Sequence, residues 1–325
     1  MKILVTGAAG FIGNNLCRAL LAHGHSVIGL DNFSQNYSLS LKRANCEDLI
    51  ETNQFSLKEA DLLTVDFNEI FYGIEAVFHQ AGKASVQSSW GIDFNEYTRN
   101  NIDATHRLLD AARLAGVSKF IYASSSSVYG VNNGIESNED LCPLPISPYG
   151  VTKLAGENLV RLFGTQFGME TISLRYFTVF GPGQRPDMAF HKLIYAGLTG
   201  NSFTMHGDGS QVRDFTFVGD IVNANLCALN TNCLPGATYN IGGGTPVSMN
   251  QVVSELEVLV NSRIQVSYEP LGNGNPMRTA SNCHKAKAEL NWRPVCTLEE
   301  GLASQILWQK SKLGHGYNRA SNSES

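Results

Sequence analysis

The sequence predicts an α/β fold, a doubly wound parallel sheet with helices on both faces, followed by a smaller α/β lobe. Three observations predict it. Short β-rich apolar runs alternate with helix-length segments through the first two thirds of the chain, and a glycine-rich turn joins the first run to the first helix. After Gly181 the texture changes to shorter elements broken by glycine and proline. The length of 325 residues agrees, since it suits about two domains or one large domain with a lobe.

Taken in order, Ile3–Thr6 is the first expected strand. The apolar start reads as a strand rather than a signal peptide, because Gly7, Gly10 and Gly13 interrupt it and no small-residue cleavage site follows a long apolar run. Phe11 to Ala22 carries Ile12, Leu16, Ala19 and Leu20 at helical spacing, and Gly24 closes the helix. Val27–Leu30, Ala76–His79, Lys119–Ala123 and Thr171–Phe177 are the next strands expected. The lobe is expected over 181–312, from a helix at Ser248–Leu259, a β-rich piece at Ile264–Tyr268 and a helix at Leu298–Lys312. Residues 1–180 form the first domain in this reading, 215–245 return to it, and the polar segment 313–325 is a flexible tail.

Composition narrows the function classes. Hydrophobic residues make up 43% and charged residues 16%, which excludes wholesale disorder. The net charge of -5, from 24 basic and 29 acidic residues, leaves no basic footprint for nucleic acid. No stretch approaches the ~18 consecutive apolar residues of a membrane span. The seven cysteines (Cys17, Cys46, Cys142, Cys227, Cys233, Cys283, Cys296) are odd in number, scattered and never spaced C-x-x-C. Neither a disulfide framework nor a zinc or other metal site is expected, and the pattern suits a reducing cytoplasm.

The chemistry begins at Thr6-Gly7-Ala8-Ala9-Gly10-Phe11-Ile12-Gly13, between the first strand and the first helix. Backbone N–H groups and the helix dipole can hold a pyrophosphate there, and glycine permits the tight turn and close approach. The spacing is G-x-x-G-x-x-G, a departure from the G-x-G-x-x-G fingerprint. Asp31 ends the second strand 18 residues beyond Gly13, close to where a carboxylate accepts the adenosine ribose hydroxyls. An acid at that place repels a 2′-phosphate, so the expected cofactor is NAD rather than NADP. Gly7, Gly10, Phe11, Ile12, Gly13, Asp31 and Asn32 are the expected cofactor contacts of this unit.

Ser147-Pro148-Tyr149-Gly150-Val151-Thr152-Lys153 reads as a helix start, with Ser147 as cap and Pro148 in the first turn. Tyr149 and Lys153, four apart, lie on one helix face. An adjacent ammonium stabilises a phenolate and lets a tyrosine act as a base well below its usual pKa of about 10. Alone, such a pair also fits an ordinary solvated helix face. It does not stand alone, because the strand Lys119–Ala123 runs into Ser124-Ser125-Ser126-Ser127-Val128-Tyr129-Gly130, a hydroxyl cluster at the carboxyl end of a strand, where open α/β sheets bind ligands.

Together these residues resemble the extended short-chain dehydrogenase/reductase family, with its Rossmann-type domain. The glycine turn, Asp31, the serine cluster ending in Val128-Tyr129-Gly130, Tyr149-x-x-x-Lys153 and Arg175-Tyr176-Phe177 carry the resemblance, in order over about residues 1 to 312. It implies that Tyr149 is the catalytic acid/base, that Lys153 lowers its pKa and holds the nicotinamide ribose, and that Ser125 is the third member. It further implies cofactor contacts at Asp61 and Leu62 near the adenine, at Gln80 and Ala81 beneath the pyrophosphate, and at Tyr176. Asn101 matches the helix asparagine that braces the site.

Three passages are similar to bacterial UDP-glucuronate 4-epimerases: Val86-Gln87-Ser88-Ser89-Trp90-Gly91, Arg175 to Pro182, and Gln184-Arg185-Pro186-Asp187-Met188-Ala189-Phe190-His191. Thr178 stands where UDP-hexose epimerases typically carry asparagine. The resemblance implies a UDP-sugar substrate, UDP-glucuronate above others, with Ser125, Ser126, Ser127 and Thr178 on the sugar carboxylate. Gln87, Arg185, Phe190, Arg213 and Arg278 complete the implied substrate contacts. It also implies a homodimer through helices Asn101–Ala115 and Tyr149–Phe167. The chain departs from the pattern at Gln87, in place of a frequent arginine, at Asn273 or Asn275, in place of the usual acid, and at Thr279-Ala280-Ser281-Asn282, in place of T-x-A-D. The alternatives are a UDP-glucose or UDP-N-acetylglucosamine 4-epimerase, a UDP-glucuronate decarboxylase, and a catalytically silent NAD-binding scaffold.

Overall fold

A computed structural model describes residues 1–132 and 134–313. Seven strands form one all-parallel sheet: β1 (Lys2–Thr6), β2 (Ser26–Asp31), β3 (Phe55–Glu59), β4 (Ala76–His79), β5 (Lys119–Ser125), β6 (Glu170–Tyr176) and β7 (Ala237–Ile241). Their order is β7-β6-β5-β4-β1-β2-β3. The chain winds outward from β1 through β2 and β3, then resumes on the other side at β4. The crevice between β1 and β4, paired with Val5 opposite Phe78, is therefore the topological switch point where such sheets bind ligands.

Strands covered on both faces must be apolar at nearly every position, and β4 and β5 are buried along their whole length. Alternate side chains feed two cores. Ile3 and Val5 of β1 meet Leu16 and Leu20 of helix Phe11–Ala22 and Ile221 of helix Val218–Asn230, while Leu4 faces Leu108 of helix Ala104–Leu114 and Val160 of helix Pro148–Phe167. A third core, around Phe190, Leu193, Phe203, Phe215, Val252 and Leu302, belongs to the later elements.

The expected strands are present, with boundaries moved by a residue or two, and the sheet gains β3 and β7. Neither reads as a strand in the sequence. β3 is an edge strand with exposed Ser56, Lys58 and Glu59, and β7 carries a fully buried Asn240 in place of an apolar residue. Helix Met249–Val260 starts on Ser248, which forms a capping box with Gln251, and strand Gln265–Glu269 runs parallel to Ser202–His206. Leu313 is the last residue of helix Leu298–Leu313 rather than the first of a tail, and 314–325 lie outside the described residues. No described helix is long and apolar enough to cross a membrane.

Candidate active site

The switch point opens into a cleft of about 910 Å³, lined by the glycine turn, the ends of β2, β4, β5 and β6, and the segment through Arg185. Gly7 has a φ of +71°, and a Cβ on it would stand 2.8 Å from the backbone nitrogen of Ala81. A Cβ on Gly13 would stand 2.1 Å from the carbonyl oxygen of Gly7. Only glycines let the turn fold this tightly against its neighbours. Helix Phe11–Ala22 begins at Gly10 with no side-chain cap and no acid in its first turn, so its leading N–H groups and positive dipole end are left for an anion. The turn's shape and its uncapped N–H groups fit the pyrophosphate of a dinucleotide.

Asp31 closes β2 and anchors the turn. Its carboxylate accepts from the N–H groups of Ala9 at 3.1 Å and Phe33 at 2.8 Å, and Lys42 Nζ lies 3.8 Å away. Lys42 escaped the sequence reading because it sits in a largely polar helix, Leu39–Ile50, with no periodicity to mark it. Burial pulls its pKa down, against the upward pull of Asp31, and its ammonium stacks 5.2 Å over the ring of Tyr37. Asp61 accepts from Leu63 N–H at 2.8 Å, with Asn32 Nδ2 3.4 Å from its other oxygen. Gln80 donates to Tyr176 Oη and to Asn225 Oδ1, both at 3.2 Å, and Asn225 donates to Tyr176 at 2.8 Å. Asn225 was not singled out in the sequence. It lies 49 residues beyond its tyrosine partner, whose phenol burial pushes up to about 12.

Helix Pro148–Phe167 starts as its sequence predicts: Ser147 Oγ accepts from Gly150 N–H at 3.1 Å and Pro148 occupies the first turn. Tyr149 projects from it into the cleft, which Ser125, the last residue of β5, also lines, while Lys153 one turn further on lies outside the lining. Ser125 Oγ accepts from Ser127 N–H at 3.1 Å, which leaves its own hydroxyl proton to be donated. Burial raises the pKa of Tyr149, while Ser125 and the guanidinium of Arg185 oppose the rise. Lys153 is 6% exposed, with its ammonium 4.5 Å from the centre of the Tyr122 ring.

Burial holds Lys153 at about 7, against a partial upward pull from Glu157. Between that value and an ordinary lysine pKa of about 10.4 the unfolded chain binds a proton that the folded chain releases, so stability rises with pH across that window and falls as pH drops through it. Lys153→Met should stabilise the cofactor-stripped protein below about pH 7 and flatten its gain in stability towards about pH 10. Urea unfolding of both proteins at about pH 6 and pH 9 checks this; parallel pH slopes would count against it.

Behind the pair lies a buried network. Arg175 donates from Nε to Glu157 Oε2 at 2.9 Å and from a second nitrogen to Oε1, while Ser124 Oγ donates to Oε2 at 2.7 Å. Arg175 also donates to Tyr129 Oη at 2.7 Å, and Tyr129 donates to Asn240 Oδ1 at 2.7 Å. Glu157 was missed in the sequence, although Tyr149, Lys153 and Glu157 at spacings of four mark one helix face. Asn101 sits in a π-turn, Arg99–Asp103, where its Oδ1 accepts from Lys83 N–H at 2.8 Å and its Nδ2 donates to Lys83 O and Thr152 Oγ1, both at 3.0 Å.

The expected substrate residues divide. Ser125, Ser126, Ser127, Thr178 and Arg185 line the same cleft as Tyr149. Arg185 pairs with Asp187 at 2.7 Å and donates to Ala84 O at 3.1 Å. Gln87 lies outside that lining, in the turn Gln87–Ser89, where its amide nitrogen would stand 3.0 Å from a Cβ on Gly272. Arg213 and Arg278 lie outside it too, on neighbouring strand segments bridged through Val212. Neither has a carboxylate within ion-pair distance among the described residues, and burial pulls the pKa of Arg213 down. Phe190 also lies outside that lining. Its ring is 2% exposed and lies 4.5 Å from that of Phe215 in the third core, because the apolar face of helix Ala189–Thr199 turns inward there.

Hydride exchange with a hydroxyl-bearing ligand needs a cradle for a dinucleotide and an acid/base group beside the reacting oxygen, and this cleft joins the two. That combination defines an NAD-dependent enzyme of the extended short-chain dehydrogenase/reductase class. The chain belongs to the NAD dependent epimerase/dehydratase family, whose model matches residues 3–242. It is 42% identical over 313 residues to YtcB of Bacillus subtilis, an uncharacterized UDP-glucose epimerase, covering 96% of this chain and 98% of that one. It is 35% identical to a UDP-glucuronate 4-epimerase of Thermodesulfobacterium geofontis, covering 95% and 96%. The crystal structure of UDP-glucuronic acid 4-epimerase from Bacillus cereus, in complex with UDP-glucuronic acid and NAD, matches with a TM-score of 0.93 at 40% identity, over 96% of this chain and 100% of that one.

Proposed function

We propose that the protein is a UDP-sugar 4-epimerase that interconverts UDP-glucuronate and UDP-galacturonate. The observation that carries this reading is the set of four hydroxyls, on Ser125, Ser126, Ser127 and Thr178, that shares the cleft with Tyr149. Bound NAD supplies a reversible hydride acceptor for C4 of the sugar. Tyr149, as phenolate, removes the C4 hydroxyl proton, and Ser125 shares the hydrogen bond to that oxygen. The resulting 4-keto sugar would turn over in the cleft, so that the hydride taken from C4 would be returned to its opposite face as Tyr149 gives the proton back to the oxygen. Arg213 and Arg278 hold the diphosphate through that turn, since an anion compensates cations that no carboxylate among the described residues pairs.

A 4-keto uronate is a β-keto acid and loses carbon dioxide when its carboxylate can rotate into line with the ketone. Several hydroxyl donors fix the carboxylate by hydrogen bonds without adding charge beside C5. The same donors would serve an uncharged hexose less well, because a carboxylate accepts stronger bonds than a hydroxymethyl group.

Purified protein incubated with UDP-glucuronate and NAD, followed by NMR of the anomeric signals, tests the reading. UDP-galacturonate is the expected product. A UDP-pentose would mean decarboxylation, and unchanged substrate would transfer the proposal to UDP-glucose or UDP-N-acetylglucosamine, the former supported by the Bacillus subtilis relative. Arg213→Leu should raise KM for the UDP-sugar by roughly 10–100-fold with little change in kcat, because a diphosphate contact acts alike on ground and transition states. Steady-state kinetics check it, and an unchanged KM would remove Arg213 from the site.

The division of labour follows the chain, with cofactor binding over 1–180 and 215–245 and substrate binding mainly over 181–312. A homodimer is part of the proposal: Leu114, Val151, Leu162 and Phe167 are exposed apolar residues on helices Ala104–Leu114 and Pro148–Phe167, and the molar mass in solution checks it. So is a cytoplasmic place of work, which suits seven free thiols.

A further inference from the structure

Directly beneath the glycine turn, β4 ends on His79, which is wholly buried and has no part in the chemistry above. Its Nδ1 lies 2.8 Å from Thr6 Oγ1 and its Nε2 lies 2.9 Å from Thr105 Oγ1. The bonds around it fix the direction of both. Thr105 gives its one hydroxyl proton to the carbonyl oxygen of Asn101, at 2.8 Å, so it can only accept from the imidazole. Nε2 therefore carries the hydrogen. In a neutral ring Nδ1 is then an acceptor, and Thr6 donates to it, leaving Thr6 Oγ1 to accept from Ala81 N–H at 3.2 Å. The neutral form suits the site, since burial and the nearby charge of Lys153 push this histidine down to about 3.

The result is a single directed chain that runs from Ala81 N–H through Thr6, His79 and Thr105 to the Asn101 carbonyl. Its two ends belong to the active site. Ala81 lines the cleft and abuts Gly7, and the Asn101 side chain clamps the backbone N–H and C=O of Lys83 and reaches Thr152, beside Lys153. We propose that His79 is a positioning residue, held as the neutral Nε2–H tautomer, that ties the cofactor-facing turn 80–83 to the π-turn bearing Asn101. The proposal rests on the cleft holding NAD. Residues 81 and 83 are thereby fixed from opposite sides, which sets the height of the turn under the cofactor.

The first test needs no variant and no turnover. In the holoenzyme labelled with ¹⁵N-histidine, long-range ¹H–¹⁵N correlations should give His79 a protonated Nε2 and an unprotonated Nδ1, unchanged between about pH 5.5 and 8.5. The opposite tautomer, or titration within that range, would overturn the proposal whatever the substrate proves to be. The second test is a cycle on the full chain with NAD titrated in. His79→Phe, which keeps a ring and removes both bonds, and Thr105→Val should each weaken NAD binding by roughly tenfold, and the double variant should be within about twofold of His79→Phe, since the chain is already cut. Losses that multiply, or an unchanged NAD affinity with only a lower melting temperature, would reduce His79 to a core residue.

Discussion

Tyr149→Phe should leave the folded protein able to bind its nucleotides and lower kcat by roughly 10²–10⁴, the usual contribution of a positioned acid/base group. The substitution removes one oxygen. The ring keeps its edge-on contact with Tyr97, at 6.4 Å between centroids, so packing around the cleft is preserved. Ser125 cannot take over, because a hydroxyl is a far weaker base than a phenolate and its Oγ already accepts from Ser127 N–H. Nor can Lys153, whose ammonium is held over the ring of Tyr122. Epimerisation followed by NMR at saturating substrate checks the prediction, with KM as the control for binding. A loss of less than tenfold in kcat would mean that another group carries the proton, and the roles assigned to Ser125 and Lys153 would fall with it.

What the sequence made legible is what acts locally. The cap at Ser147, the proline behind it and the four-residue step from Tyr149 to Lys153 lie within one helix start, and the pattern alone places them on one face. Asp31 was legible because a βαβ unit fixes the end of its second strand relative to its glycine turn. The residues that escaped work through partners distant in the chain. Asn225 reaches Tyr176 from the later helix Val218–Asn230, and Glu157 has meaning only once β6 brings Arg175 beside it. Lys42 sits in a helix without an apolar stripe, so nothing advertised that its ammonium is folded inward towards Asp31. Phe190 shows the converse. A motif can bring a position near a ligand, but which way an aromatic side chain faces depends on the third core, built from residues that follow much later.

The largest effect on stability should come from the pair behind the catalytic helix. Arg175→Met should destabilise the protein by about 3–5 kcal/mol, because it leaves the buried carboxylate of Glu157 without its cation. Arg175 is 4% exposed and Glu157 6%, so water cannot take the place of the lost partner, and Ser124 alone supplies one hydrogen bond where three were made. Tyr129 would also lose a donor, at a site where burial already pushes its phenol up to about 12. Removing both charges is a different matter. The double variant Arg175→Met/Glu157→Met should recover most of the loss, since a buried ion pair can be replaced by apolar groups of similar volume at little net cost. Urea unfolding of the four proteins in the cycle measures this, and a single-variant loss below about 1 kcal/mol would contradict the burial of the pair. Activity should not follow stability. Glu157 is also the group that holds up the charge on Lys153 against burial, so the double variant should fold well and turn over slowly. Recovery of both properties together would separate the pair from the chemistry and leave it as part of the core.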